Sequence, residues 1–421
     1  MGFEQGLSGI NAASTQLDSI GNNVANANTV GFKSSRTEFG DLYGQSIFGN
    51  AANSPGNGVS VLAVTANMQS GNTENTGRSL DVAIGGSGFF VMKQPSGTQT
   101  YSRDGQFQVN SQGYLVNNSG AFVQGYGVNA AGSPQVGPLQ NLQITNTSIA
   151  PQATTQMTWP VQLNSNSTTP TVSPVSPTNP STYNYPATTT VYDTLGNSHQ
   201  MTVYYSLTTT SANGNTWTGV PYVDGQPATV AGGGNGGGGN STFTMQFNTS
   251  GQITGTTPAN ISVSFSPTNG SAAPETIALS LTGSTQIAMS SPGSNGPIVQ
   301  NGAAPGTLTG VTITSSGVVQ ASFSNSQTKT LGQVALATFV NPQGMLNLGG
   351  NQWQQSGNSG TPTINQPGAG NSGNLISGSV EDSNVNLTNE LVNMITAQRY
   401  YQANAQTIKT QDTLIQTLLN I

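Results

Sequence analysis

The sequence predicts a mainly β protein with an α-helix at each end, the two helices pairing as a coiled-coil-like domain followed outward by two nested all-β domains. Three observations carry this reading. At the N-terminus Phe3, Leu7, Ile10, Ser14, Leu17, Gly21 and Val24 follow alternating steps of four and three, the spacing of a narrow seam on a helix. Leu387, Leu391, Met394, Gln398, Tyr401, Ala405, Ile408, Asp412, Ile415 and Leu419 repeat that spacing at the C-terminus. Between the two seams, apolar residues alternate in short runs broken by Gly, Asn and Pro, the period of half-buried strands.

Residues 3–28 are expected as helix, with Glu4 near the positive end of its dipole. Asn26-Ala27-Asn28-Thr29-Val30-Gly31 ends it, because Asn and Gly tolerate the left-handed conformation that closes a helix. Residues 32–72 read as an irregular connector. Strand signals begin at residues 80–84 and resume at 89–92; Asp104-Gly105 reads as a tight hairpin turn ahead of Phe107 and Val109. Residues 148–301 have another texture, rich in Thr, Ser, Asn, Pro and Gly. They still hold alternating faces: Met201, Val203, Tyr205 and Leu207; Phe243, Met245 and Phe247; Ile261, Val263 and Phe265; Ile277, Leu279 and Leu281. This reads as an all-β domain inserted into a first one. The expected domains are 1–31 plus 380–421, 73–147 plus 302–379, and 148–301. The Gly-rich stretch 232–240 reads as a flexible loop tip. The last helix starts at Ser383 or Asn386, both suitable N-caps, and runs to the final residue.

Composition removes several functions. Charged residues are 5% of the 421, against roughly a quarter in an ordinary soluble domain, so Ser, Thr, Asn, Gln and Gly supply the polar surface. The basic residues are Lys33, Arg36, Arg78, Lys93, Arg103, Lys329, Arg399 and Lys409, with none between 104 and 328. A grip on nucleic acid needs clustered Lys and Arg, and a basic surface for anionic lipid is equally absent. No Cys and a single His exclude disulfides, thiol catalysis and Cys/His zinc sites. No window approaches 18 consecutive apolar residues, so no membrane insertion is expected. Glu4 and Asp18, in a segment without an apolar run, do not fit a secretory signal peptide.

Candidate chemical sites each have a plainer explanation. His199, in Asn197-Ser198-His199-Gln200-Met201 with Asp193 six residues before it, is of the type of a general base but reads as a surface turn residue. The stretch 232–240 lacks the Gly-Lys-Ser/Thr of a phosphate-binding loop. A glycosidase needs paired carboxylates, whereas 148–301 hold only Asp193, Asp224 and Glu275, whose placement reads as chance. Tyr and Trp in that domain read as core and hairpin residues rather than sugar platforms. No catalytic residue, cofactor or metal ligand set is assigned.

The seams are the candidate functional surface. Neither has a sequence neighbour to pack on, so their expected partners are each other and copies of themselves on other subunits. The self-assembly residues are Phe3, Leu7, Ile10, Leu17 and Val24 with Leu387, Leu391, Met394, Tyr401, Ile408, Ile415 and Leu419. Ala13, Ile20, Ile395, Leu414, Leu418 and Ile421 lie off the seam and widen the apolar face beyond what a two-helix hairpin covers. The ends are therefore expected to be loosely ordered alone and to fold on assembly.

The motif Gly21-Asn22-Asn23-Val24-Ala25-Asn26-Ala27-Asn28-Thr29-Val30-Gly31-Phe32-Lys33 resembles the N-terminal motif of bacterial flagellar rod and hook proteins. Residues 85–90, Tyr101-Ser102-Arg103-Asp104-Gly105-Gln106-Phe107 and Gly113-Tyr114-Leu115-Val116 resemble that family's inner β-domain. Residues 377–387, 390–395 and 397–405 resemble its C-terminal segment, so the resemblance covers 1–147 and 302–421. Two features favour the hook branch over the rod branch. One is the inserted domain; the other is Thr190-Val191-Tyr192-Asp193-Thr194-Leu195-Gly196-Asn197-Ser198-His199, which resembles part of the hook branch's outer domain. The resemblance implies a structural subunit rather than an enzyme. It implies a tubular homopolymer outside the cell, with terminal helices lining a channel, the inner β-domain as wall and the inserted domain outermost. It also implies a flexible joint passing torque from rod to filament, exported without a cleaved signal peptide. The implied partners are copies of itself, a distal rod protein, a hook–filament junction protein, a hook cap scaffold and the flagellar type III export apparatus. The alternatives are a distal rod subunit, which the length argues against, and a secreted β-sandwich adhesin, which needs no seam at both ends.

Overall fold

Two helices bracket the chain, α1 (Gly2–Ala25) and α2 (Leu387–Leu419). The computed structural model describes residues 2–42, 56–145, 147–239 and 241–419; the side chains of Leu418 and Leu419, and all of Ile421, lie outside that description. Contacts divide the chain into two units, one of residues 1–145, 310–322 and 328–421, the other of 146–309 and 323–327. Among the described residues no helix is long and apolar enough to cross a membrane.

In the first unit α1 stops at Ala25 rather than at residue 28. The Asn26 amide bonds the Asn22 carbonyl at 3.1 Å, and the closing turn ends on Gly31 with φ 71°. A Cβ at Gly31 would lie 2.7 Å from the Asp104 amide nitrogen, so backbone conformation and close approach both require glycine there. The described part of 32–72 is more regular than expected, residues 43–55 lying outside the description. It carries an antiparallel pair, Ser35–Asp41 with Val59–Ala66, interrupted by one register shift between Glu38 and Phe39. Val59, Val61, Val64 and Thr65 are β-branched and suit a strand; the polar partner strand hid the pairing.

The main sheet of this unit is antiparallel. Neighbour to neighbour it runs Val318–Phe323, Thr328–Val334, Phe122–Tyr126, Phe89–Lys93, Gln99–Ser102, Gln352–Gln354 and Leu346–Gly349. Phe89, Val91, Tyr101, Tyr126, Ala335, Ala337, Met345 and Trp353 close a core on it. Asp104-Gly105 turns no hairpin, because Gln99–Ser102 pairs with Phe89–Lys93 whereas Phe107–Val109 pairs with Leu115–Asn117. Gly105 instead marks a backbone crossing. Its carbonyl accepts the Val82 amide at 3.0 Å, and a Cβ there would stand 1.8 Å from the Val82 carbonyl oxygen.

The second unit packs two sheets face to face. Tyr185–Tyr192, Ser198–Ser211, Gly214–Val223 and Ser241–Phe247 form one in that order; Thr229–Val230, Ile261–Phe265, Glu275–Ser280, Gln156–Thr158 and Val299–Gln300 form the other. The four alternating faces read from the sequence all enter a single core with Trp159 and Trp217. Trp159, Trp217 and Tyr205 are fully buried, which makes them core residues. The Gly-rich stretch is part of the sheet, since Gly234 pairs with Thr242 and Asn235 with Ser241; Asn240 lies outside the described residues.

One buried carboxylate ties the first unit together. Lys33 Nζ lies 2.5 Å from Glu381 Oε1, and Arg103 Nη1 lies 2.9 Å from Glu381 Oε2, all three side chains being almost wholly buried. The Gly71 amide donates to Glu381 Oε1 at 2.9 Å, while Lys33 also donates to the Gln69 carbonyl and Arg103 to the Gly86 carbonyl. Burial lowers the Lys33 pKa, and the attraction and hydrogen bond of Glu381 only partly offset it. Glu381→Gln would leave two buried cations without their carboxylate. The expected cost is about 3–5 kcal/mol in denaturant unfolding of the full chain. Arg36→Gln, at an exposed pair with Glu38, should leave the midpoint unchanged.

Candidate assembly surface

Helix α2 begins where its sequence provides a cap. Asn386 Oδ1 accepts the Asn389 amide at 3.1 Å, and the Asn386 carbonyl accepts the first helical bond from Glu390. Helices α1 and α2 lie antiparallel, with Gly6 against Ile408, Gly9 against Asn404, and Asn23 Nδ2 donating to Glu390 Oε1 at 3.3 Å. A Cβ at Gly6 would stand 2.8 Å from Ile408 Cγ1, so the crossing depends on the missing side chain. Ala13, Ile20 and Asn23 on α1 and Ala397 on α2 are buried. The inward stripe of α1 is thus Gly6, Gly9, Ala13, Ile20 and Asn23, one residue behind the expected seam.

The two helices pair as the sequence predicts, with the covered stripe of α1 displaced by one residue from the seam. Phe3 and Leu7 are about half exposed at 50% and 45%, and so are Leu387, Leu391 and Ile415 at 47%, 45% and 51%. Tyr401 is exposed as well, whereas Ile10, Leu17, Val24, Met394 and Ile408 are partly covered. Ile408 lies at the α1 crossing, against Gly6; Leu419 is the last residue of α2, its side chain outside the described set. The small residues let the backbones approach, and the larger apolar ones are turned aside. Both helices are formed and in contact within one chain, in contrast to the loosely ordered ends expected. Ala13 and Ile20 are buried, while Val392, Ile395, Tyr400 and Leu414 add to the uncovered surface of α2.

The base of the pair is held by Asn side chains of the N-terminal motif and the α2 lead-in. Asn23 Oδ1 accepts the Ser35 amide and its Nδ2 donates to the Ser35 carbonyl, both at 2.8 Å. Asn384 Oδ1 accepts the Ser34 amide at 2.8 Å, and its Nδ2 donates to the Asn67 and Gln69 carbonyls. Next to this base, the strand Val59–Ala66 exposes Leu62 at 69% and Val64 at 52%. The sequence reading missed Gly6 and Gly9 and placed Ala13 off the seam, although the steps of three and four between them are as regular as those of the larger residues.

In the second unit His199 is not a surface turn residue. It is 9% exposed, with Nε2 3.2 Å from Asp193 Oδ2 and Nδ1 2.6 Å from Asp224 Oδ2. Nor are the acids scattered by chance, because Glu275 Oε1 accepts the Thr194 amide at 2.9 Å beside this pair.

Four family profiles match along the chain: "Flagella basal body rod protein" over 3–33, "Flagellar hook protein FlgE/F/G D1 domain" over 83–173, "Flagellar basal body protein FlaE D2 domain" over 162–303 and "Flagellar basal body rod FlgEFG protein C-terminal" over 376–421. The chain is similar to flagellar hook protein FlgE of Escherichia coli (strain K12), 40% identical over 427 residues and covering 100% of both chains. Against flagellar hook protein FlgE of Salmonella typhimurium the identity is 39% with the same coverage. A crystal structure of Helicobacter pylori flagellar hook protein FlgE2 shares the fold with a TM-score of 0.50 at 14% identity, covering 72% of this chain and 98% of that one.

The small-residue crossing is open to test. Gly6→Val improves intrinsic helix propensity and alone would stabilise α1. Because its Cβ meets Ile408, it should instead weaken the pair by about 1–3 kcal/mol. The expected result is a lower midpoint for loss of the helical circular dichroism signal, partly restored by Ile408→Ala. An unchanged or higher midpoint would show that the helices do not cross there.

Proposed function

The chain belongs to the flagellar hook protein family, and we propose that it builds the hook by docking the uncovered faces of α1 and α2 against copies of the same helices. The observation that carries this is the split of roles on each helix. Small residues of α1 meet Asn404 and Ile408 of α2 within the chain, and Phe3, Leu7, Leu387, Leu391, Ile395, Tyr401 and Ile415 stay open to solvent. Each such side chain returns roughly 1.5–3 kcal/mol when fully buried, and every copy added repeats the gain. A contact between different patches, repeated without closing, gives a helical tube.

In this reading Phe3, Leu7, Ile10, Leu17, Val24, Leu387, Leu391, Met394, Tyr401, Ile408, Ile415 and Leu419 serve self-assembly, directly or by placing the exposed stripe. Residues 1–31 with 380–421 act as the assembly module, and 148–301 as an insertion that tunes the polymer. The tube joins the distal rod protein at one end and the hook–filament junction protein at the other, transmits torque between them, and grows under a cap scaffold. The subunits reach it through the flagellar type III export apparatus with no cleaved signal peptide.

Leu391→Asp tests the docking. The side chain is exposed in the single chain, so the thermal transition should stay where it is. Tube formation at high concentration, followed by light scattering and electron microscopy, should be lost, because a charge buried without a partner costs several kcal/mol in each copy. Normal tubes from the variant would remove α2 from the interface.

The insertion can be tested at its base. The Leu308 amide donates to the Thr147 carbonyl at 2.8 Å, so a short Gly/Ser link from Thr147 to Leu308 spans neighbouring backbone. The shortened chain should still form tubes, with altered curvature or stiffness in electron micrographs. Failure to assemble while the main sheet stays folded would make the insertion part of the wall.

A further inference from the structure

Residues 146–309 and 323–327 contain only four acidic, basic or histidine side chains: Asp193, His199, Asp224 and Glu275. All four meet at one end of the sandwich. Asp193 is buried in the turn after Tyr185–Tyr192, His199 opens Ser198–Ser211, Asp224 follows Gly214–Val223, and Glu275 opens Glu275–Ser280. With no Lys or Arg between 104 and 328, His199 is the one side chain there that can carry positive charge near neutral pH.

The hydrogen bonds fix its protonation. Asp193 Oδ1 accepts the Leu195 and Asn197 amides at 2.9 and 2.8 Å. Its Oδ2 accepts Asn197 Nδ2 at 3.0 Å and Asn269 Nδ2 at 2.6 Å, and it lies 3.2 Å from His199 Nε2. Asp224 Oδ1 accepts the Gln200 amide at 2.8 Å, and its Oδ2 lies 2.6 Å from His199 Nδ1. Ionised carboxylates only accept, so both ring nitrogens must donate, which only the imidazolium does. A neutral ring would turn a lone pair towards one carboxylate. From the facing sheet the Phe265 ring packs on the imidazole at 5.4 Å, and Glu275 holds the same turn through the Thr194 amide.

We propose that the Asp193–His199–Asp224 bridge is a proton-operated clamp. With the imidazolium in place it ties the 193–197 turn to the 224–226 turn; when the ring loses its proton those two turns come loose from each other while the sandwich core, and the Asn269 and Ala272 bonds of the 266–274 loop, stay in place. The acidic arm is distinct from the alkaline one. Burial opposes charge on Asp193, but hydrogen bonds from Asn197, Asn269 and His199 outweigh it and hold the carboxyl below the usual range. Burial likewise opposes charge on His199, and the hydrogen bonds and charges of Asp224 and Asp193 outweigh it and raise the ring's pKa. A raised folded value means the stabilisation is whole below the ordinary His value of about 6.5 and is lost as pH rises through the folded one. A depressed Asp193 means its share is whole above the ordinary carboxylate range and is lost only as pH falls through its folded value.

The full chain holds a single His, so one ring resonance reports the clamp. In full chain labelled at the histidine ring carbon, the resonance should titrate above about pH 6.5. Amide exchange at 193–197 and 224–226, corrected for intrinsic base catalysis, should rise about tenfold in the same pH step, while exchange in Ser198–Ser211 stays slow. Asp224→Asn should move ring titration and exchange step together to lower pH, and His199→Gln should abolish the step. Should His199→Gln fail to fold, Asp224→Asn alone decides. A ring titrating at or below its ordinary value, a step that persists in His199→Gln, or exchange that ignores the titration would each overturn the clamp.

Discussion

Glu381 is the point on which the first unit depends. Lys33 approaches it from just beyond α1, Arg103 from the strand-rich core, and the carboxylate itself lies just ahead of α2. A buried ion pair is a poor source of net stability, because desolvation consumes most of the attraction. What it supplies here is position. Backbone bonds on either side of the carboxylate act with it: the Gly31 amide donates to the Glu381 carbonyl at 2.7 Å, and the Asp382 amide to the Asn72 carbonyl at 2.8 Å. The end of α1 and the start of α2 are thus set against one piece of sheet before either helix makes a contact of its own.

Once the base is set, little is needed to keep the helices side by side. Asn23 reaches Glu390, and above that the contact includes glycines that admit Asn404 and Ile408. Such a crossing is close but buries little apolar area. The larger side chains are therefore free to face outward, where a lone helix pair in water would gain nothing from them. A polymer whose repeated contacts are apolar or uncharged is screened little by salt, since there are few exposed charges to screen. The low charge of the chain and the open faces of its helices are parts of the same design.

The sequence shows the class of fold because strand alternation and helical spacing are local, and because Asn386, Gly31 and the four alternating faces act through their own backbone neighbourhoods. It hides what depends on pairing across long distances. Ser35–Asp41 is polar and shows itself as a strand only against Val59–Ala66. Gly105 looks like half of a hairpin turn, yet it is a glycine because Val82 crosses it. The candidate surface was legible as two apolar stripes expected to meet each other and copies of themselves, but spacing cannot say which of two adjacent stripes turns inward. The size of Gly6 and Gly9 could have said so. His199 was hidden differently: Asp224 and Asn269 are distant in sequence, and it takes the pairing of Ser198–Ser211 with Gly214–Val223 to bring Asp224 to the ring and the loop after Ile261–Phe265 to bring Asn269 to Asp193.

Scarcity of charge has a second consequence. In an ordinary domain a buried carboxylate can find a cation among many, and losing one partner is softened by the next. Here the Glu381 cluster of the first unit and the Asp193–His199–Asp224 cluster of the second have few other charged groups nearby to replace a lost partner. The first unit uses Lys and Arg, which keep their charge across the accessible pH range apart from the effect of burial on Lys33. The second unit has no Lys or Arg at all and must use histidine, the side chain whose charge is conditional near neutrality. The same economy that keeps charge off the surface therefore leaves the second unit's cluster dependent on a side chain whose charge changes near neutrality, while the first unit's cluster rests on Lys and Arg.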